Sequence, residues 1–439
     1  MSSADVAVIG AGPAGLLAAL HLARAGRSVV VHEAATRVGG MAGSVEVDGV
    51  RVDFGSHRLH PSTPPERLAE VRALLGGDLQ LRPRNGRIRL AGRWLRFPLR
   101  AKELLTGLPP KLAAGAARDT LVAPFRRPRA DTFAEVVWAG LGPTMADAFY
   151  APYVEKLWGV PPEELSGELA RRRVSADGPL AIAKRLVTAR RGGATFLYPR
   201  RGYGQISEAL ADAAVAAGAE LRLGAPVDDL DALDAGLVFS TLPITALAAM
   251  AGGPTTTLEH RGMALVYLTL DHRPYTAFDA HYFPEPDVAF SRLSEPANYR
   301  ESADDPADRT VLCAEVPCTA GDPTWSQSDA TLGELVADGL DRVGLPAARP
   351  HAVHVERLAR VYPLYRRGFE EELAAVLTWA AGLERVVVFG RQGLFVPDNT
   401  HHALAMGAAA AAAVGPDGAF DRSAWAASLN EFRGHVVED

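Results

Sequence analysis

At 439 residues, with 48% hydrophobic and 22% charged positions, the chain has the make-up of a soluble globular protein of two domains, or of one large domain with insertions. A formal net charge of −6 and the lack of a basic stripe argue against a nucleic-acid partner. The two cysteines, Cys313 and Cys318, support neither a disulfide framework nor a zinc pattern, so no metal site is expected. The first strand-like run begins almost at Met1, which leaves no room for a signal peptide. The apolar run at 403–414 is too short to cross a bilayer. A cytoplasmic protein without a transmembrane segment is the expectation.

In chain order, the four apolar residues 6–9 predict a short buried strand. Gly10, Gly12 and Gly15 follow at the G-x-G-x-x-G spacing, and residues 16–25 predict an apolar helix. In that pattern the first glycine makes a tight turn, the second admits a pyrophosphate against the backbone, and the third lets helix and strand pack closely. The phosphates then meet the free N–H groups and positive dipole end of the helix. Residues 29–32 predict the second strand, and Glu33 ends it, about twenty residues past the glycines, where a carboxylate binds a ribose 2′-hydroxyl. Strand, glycines, helix, strand and acid in that order predict a dinucleotide site. A carboxylate there repels a 2′-phosphate, which disfavours NADP.

After Glu33 come Arg37, Gly39, Gly40 and Met41, and a glycine pair beside a guanidinium suits phosphate oxygens. Here the sequence resembles the flavoprotein family that includes amine oxidases, protoporphyrinogen oxidases, phytoene desaturases and UDP-galactopyranose mutases. In that family the matching E-A-x-x-x-x-G-G segment wraps the pyrophosphate and ribityl chain of FAD. The resemblance implies FAD as cofactor and a small-molecule substrate. It also implies an α/β fold, a Rossmann-like FAD-binding domain with an inserted α+β substrate domain. The next dense stretch, Val52-Asp-Phe-Gly-Ser-His-Arg-Leu-His60, matches a family segment that lies against the flavin ring, with a histidine in mutase-like members. His57, Arg58 and His60 are therefore the catalytic candidates.

Residues 82–98 predict a β-hairpin with turn signals at Asn85-Gly86 and Ala91-Gly92. Residues 99–200 are expected to be mostly helical. Within them Tyr150, Tyr153, Lys156 and Trp158 are candidates to line a pocket, by resemblance to a substrate-domain helix. A helix at 206–217 and strands at 220–223 and 237–240 resemble the family's return to the FAD domain, with Val227 as the adenine contact. Strand-rich runs at 263–270, 310–316 and 351–355 suggest the sheet of a substrate domain. A strand from 386 running into Gly390 and Arg391, then Asp398, Asn399 and an alanine-rich helix, resembles the family's C-terminal flavin motif. There a helix N-terminus stabilises negative charge on the flavin. The expected division is 1–60, 195–250 and 380–430 for the FAD-binding domain, and 61–194 and 255–375 for the substrate domain.

Two chemistries follow from the resemblance. One is an FAD-dependent oxidoreductase that removes a hydride from a C–N or C–C bond. The other is a redox-neutral, mutase-like reaction in which reduced FAD acts as a nucleophile on a nucleotide sugar. The second needs cations for a diphosphate, for which Arg82, Arg84, Arg87, Arg360 and Arg366 are available. For a general base the candidates are His57, His60, His401 and His402, since imidazole titrates near neutrality.

Overall fold

The computed structural model describes residues 4–97, 107–173 and 195–437. Five short strands form a parallel sheet: β1 (Ala4–Ile9), β2 (Val29–Glu33), β9 (Glu220–Leu223), β10 (Ala235–Ser240) and β16 (Val386–Val388). Their order is β16-β10-β1-β2-β9. The apolar run at the start of the chain is explained by burial on both faces. Val6 and Val8 face the helices Pro13–Arg24, Gln205–Ala216 and Thr400–Ala412. Ala7 and Ile9 face Ile244, Leu247, Val376 and Ala380, from the helices Ile244–Met250 and Phe369–Ala381. From β1 the chain proceeds to β2 on one side, while β10 and β16 add on the other. Open α/β sheets bind ligands outside the carboxyl ends of the strands at such a switch point.

A second, mainly antiparallel sheet has seven strands in the order β15-β11-β14-β13-β12-β6-β7. They are β6 (Gly86–Leu90), β7 (Arg93–Phe97), β11 (His260–Leu270), β12 (Ala280–Tyr282), β13 (Arg292–Ser294), β14 (Thr310–Cys318) and β15 (Ala352–Pro363). Alternation along β11 sends Ala264, Val266 and Leu268 to a core with Leu332, Val336 and Leu340 of the helix Asp329–Arg342. Met263, Leu265 and Tyr267 face the other way, toward Val52 and Phe54. Two ribbons complete the strands: β3 (Ser44–Val47) with β4 (Val50–Asp53), and β5 (Leu79–Pro83) with β8 (Thr195–Pro199).

Several sequence expectations change in detail. Of the two turn signals in 82–98, only Ala91-Gly92 closes the β6–β7 hairpin, with both residues at positive φ (52° and 71°). Asn85-Gly86 instead starts β6, because Asp279 accepts the Asn85 N–H at 2.9 Å and β12 pairs in parallel with β6. The strand expected at 351–355 runs on to Pro363. The region 99–200 is helical at Pro110–Val122, Phe133–Leu141, Ala151–Trp158 and Gly167–Arg173 but ends in β8. Its stretches 99–106 and 174–194 lie outside the described residues.

The alanine-rich helix packs on the first helix through backbone. A Cβ on Gly407 would sit 2.2 Å from the Ala14 carbonyl oxygen. Rigid backbone cannot yield, so Gly407→Val is expected to cost at least about 1–3 kcal/mol, the usual range for overpacking. The check is a lowered urea midpoint at unchanged slope; an unchanged midpoint would contradict this packing.

Candidate active site

The switch point opens into a cavity of about 450 Å³ whose other side is the face of the seven-stranded sheet. Gly10, Gly12, Pro13, Ala14 and Gly15 line it from the loop after β1, and Thr241, Leu242 and Pro243 from the loop after β10. The glycines differ in what they answer to. Gly10 has φ of 102°, and a Cβ there would lie 2.1 Å from Thr241 Oγ1. A Cβ on Gly15 would lie 2.1 Å from the Gly10 carbonyl oxygen. A Cβ on Gly12 would meet nothing within 4 Å, so the protein itself imposes no need for glycine at this point of the cavity wall.

Glu33 is tied to this loop. Its Oε2 accepts the Ala11 N–H at 2.7 Å and its Oε1 the Ala35 N–H at 2.9 Å. Each oxygen keeps a further lone pair for a hydroxyl donor. Gly40 and Met41 also line the cavity. Gly39 does not; its N–H donates to the Ala11 carbonyl at 2.8 Å and so braces the loop. Arg37 points away, 43% exposed, over the Phe54 ring and 3.7 Å from Glu356. Val227 packs against the second core outside the cavity wall.

His57, Arg58 and His60 all reach the wall. His57 Nε2 donates to the Phe54 carbonyl at 2.9 Å, which leaves Nδ1 as the acceptor. Its ring stacks on Tyr203 with centroids 5.2 Å apart, and burial pushes its pKa down, so the ring is neutral near pH 7. Burial works against the charge of Arg58, but Tyr299, Tyr282 and Asp279 outweigh it and raise its pKa. The Arg58 guanidinium donates to Asp279 and Tyr282, each at 3.2 Å. His60 Nδ1 lies 2.6 Å from Ser62 Oγ.

The facing sheet contributes residues that the sequence reading missed. Arg292 and Glu315 stand opposite each other on β13 and β14 and form a two-pronged ion pair at 2.9 and 2.8 Å. Glu315 also accepts the Ser56 N–H at 2.8 Å, fixing the segment that carries His57. Arg173, at the end of the helix Gly167–Arg173, lies over the rings of Trp158 and Tyr362 at 5.2 and 4.9 Å. Register across two strands, and the meeting of a helix end with a distant strand, leave no local sequence signal. Of the candidates for pocket lining, Tyr153 lines the cavity, as does Tyr362 of β15, whereas Tyr150 and Trp158 are core-packed. Lys156 is held by the carbonyls of Phe283 (2.6 Å), Glu285 and Phe290, and burial lowers its pKa to about 8. Among the five arginines put forward for a diphosphate, only Arg84 lines the cavity.

The third element is the start of the helix Thr400–Ala412. Asn399 caps it, accepting from the His402 N–H while its own N–H donates to His402 Nδ1 at 3.2 Å. Gly390, Arg391, Asp398, Asn399 and Thr400 line the cavity beside it. Arg391 donates to the carbonyls of Val361 and Asp398 at 2.7 and 3.1 Å. Burial, then the nearby Arg173, lowers its pKa to about 10. Among the described residues, neither Arg173 nor Arg391 has a carboxylate within salt-bridge reach. The Asp398 side chain is buried; one oxygen accepts from His435 at 2.7 Å and the other, Oδ1, has no partner among the described residues. An open glycine cradle, a braced acid and a buried unpartnered carboxylate oxygen, all on one wall, fit a dinucleotide with a polyhydroxyl chain.

A parallel nucleotide-type sheet facing an antiparallel sheet across such a cavity is the architecture of two-domain flavoproteins. Reduced UDP-galactopyranose mutase superposes with a TM-score of 0.80 at 21% identity, over 100% of this chain and 98% of that one. Cyclohexylamine oxidase from Brevibacterium oxydans gives 0.66 at 18% identity, over 94% and 98%. In sequence, putrescine oxidase of Kocuria rosea is 53% identical over 57 residues, 13% of this chain and 12% of the relative. A protein named as a flavin-containing monoamine oxidase, AofH, of Mycobacterium tuberculosis is 30% identical over 254 residues, 54% of this chain and 53% of the relative. The chain thus spans about half or less of the curated relatives it matches. The sequence model described as flavin containing amine oxidoreductase matches residues 13–242, more than half of the chain. The chain belongs to that family, and FAD is its cofactor.

The glycines separate fold from ligand. Gly12→Ala is expected to keep the thermal midpoint of the flavin-free protein while bound FAD per chain falls at least about tenfold. Gly15→Ala should lower the midpoint itself. Equal flavin content in Gly12→Ala would remove the cradle reading.

Three histidines held wholly or partly out of water are expected to shape the acid limb of stability. Burial lowers His260 to about 4, and His281 and His402 to about 3. Below about pH 6.5 the unfolded chain takes up protons that the folded chain refuses, so unfolding free energy falls as pH drops toward 4. Urea unfolding at a series of pH values checks this; His281→Phe should flatten the slope.

Proposed function

We propose that this chain is an FAD-dependent oxidoreductase that takes a hydride from a C–N or C–C bond of a small molecule carrying negative charge. The observation that carries the reading is the shared cavity: the loop after β1, the histidine-bearing segment at 55–60 and the start of the helix Thr400–Ala412 line one space. On this reading residues 1–60, 195–250 and 380–430 make the FAD-binding domain, and 61–194 and 255–375 the substrate domain. The pairing of β10 with β1, and of β16 with β10, supports that division.

Gly10, Gly12, Gly15, Gly40 and Met41 would hold the pyrophosphate side, with Glu33 accepting from a ribose hydroxyl. Asp398 Oδ1 would accept from the ribityl chain, and the capped helix start would favour negative charge nearby. When bound, the flavin supplies the hydride acceptor. His57 presents a neutral ring whose Nδ1 can take a proton from a substrate N–H or O–H. Arg173 and Arg391 bring charge that no carboxylate among the described residues neutralises, which favours an anionic substrate over an alkylammonium ion.

A second reading has a specific observation behind it. Arg58, Arg84, Arg173, Arg292 and Arg391 converge on the cavity, and such a set suits the diphosphate of a nucleotide sugar in a redox-neutral, mutase-like reaction. Anaerobic mixing separates the two. An oxidoreductase bleaches its flavin absorbance with substrate and regains it with an electron acceptor. A mutase-like enzyme turns over UDP-galactopyranose only after chemical reduction, with no net electron flow. Bleaching by a substrate without prior reduction is the expected outcome; turnover only after dithionite would replace the first reading with the second.

A further inference from the structure

Far from the chemistry, the helix Pro110–Val122 and the turn Ala123–Phe125 carry one fully solvent-facing stripe. Lys111, Ala114, Arg118, Leu121 and Phe125 recur at three- and four-residue spacing and are all exposed. Leu121 is 78% and Phe125 84% exposed, with Val122 beside them at 42%. Scattered surface leucines are ordinary, but the two most exposed large apolar side chains among the described residues stand four positions apart on one helical face. Cations surround them. Residues 110–130 hold five basic residues and one acid, in a chain whose net charge is −6. That acid, Asp119, is buried, accepting from Arg126 at 2.7 Å and from the Thr144 N–H at 2.8 Å, while Arg118, 3.7 Å from it, stays 72% exposed. Arg127 is exposed, and among the described residues its guanidinium meets only carbonyls, those of Pro124 and Arg126.

We propose that this face docks onto an anionic lipid bilayer surface. Leu121, Val122 and Phe125 enter the boundary between headgroups and acyl chains, while Lys111, Arg118, Arg127 and Arg129 meet lipid phosphates. Charge complementarity selects this occupant. A two-fold contact with a second copy sets the stripe against itself, guanidinium against guanidinium, around an apolar tip of only three side chains. No described helix is long and apolar enough to cross a membrane, so contact on this face is peripheral.

The test is co-sedimentation of the full flavin-loaded chain with phosphatidylglycerol-containing vesicles and with phosphatidylcholine vesicles. The chain is expected to pellet with the first at low salt, to be released by high salt, and to ignore the second. The double variant Leu121→Ser/Phe125→Ser and the charge variant Arg118→Glu/Arg127→Glu should each weaken binding about tenfold or more, with flavin content and thermal midpoint unchanged. Failure to pellet with phosphatidylglycerol vesicles overturns the proposal, as does undiminished binding by both variants. Light scattering that shows a dimer, dissolved by Leu121→Ser/Phe125→Ser, would also overturn it in favour of a second copy.

Discussion

The arrangement depends on backbone meeting backbone. Gly15 lets the helix Pro13–Arg24 close on the turn at Gly10, and Gly407 lets the helix Thr400–Ala412 settle against the Ala14 carbonyl. At these contacts, 2.1 and 2.2 Å from where a Cβ would stand, one methyl group would force the elements apart. Segments nearly four hundred residues apart thereby reach the same cavity, one bringing an open glycine cradle and the other a capped helix start.

The far wall is held by charge rather than by small residues. Glu315 is buried and Arg292 mostly so, and breaking such a pair leaves a poorly compensated charge at a cost of up to about 3–5 kcal/mol. Glu315 also grips the Ser56 N–H, so the pair couples the antiparallel sheet to the segment that positions His57. Glu315 neutralises Arg292, and Asp279 contacts Arg58 at 3.2 Å, whereas Arg173 and Arg391 have no carboxylate within salt-bridge reach among the described residues. The cavity thus combines apolar lining with guanidinium groups, whose fields act more strongly where water is excluded.

His402 shows how one side chain can close the helix end and tune it. Its Nδ1 is occupied by the Asn399 N–H, and burial keeps the ring neutral, so the positive end of the helix is not reinforced by an imidazolium. His435, near the end of the described chain, sits 2.7 Å from Asp398 and stacks on His402 with centroids 4.1 Å apart. His435 thus braces the start of the helix.

Much of the nucleotide half is readable from local pattern. The run 6–9, the glycine spacing, Glu33, the helix near 206–217 and the strand before Gly390 are consequences of periodicity and steric rules that act within a few residues. The amino-acid sequence by itself determined those elements, their order and the family they resemble. It did not determine that Arg173, Arg292 and Glu315 reach the cavity, that Arg37 turns away over Phe54, or that Asn85-Gly86 begins a strand instead of turning a hairpin. Each of these depends on which strand pairs with which and at what register, and on where a helix end comes to rest. Such choices are settled by burial and hydrogen bonding between segments far apart in the chain, and only the tertiary structure decides them.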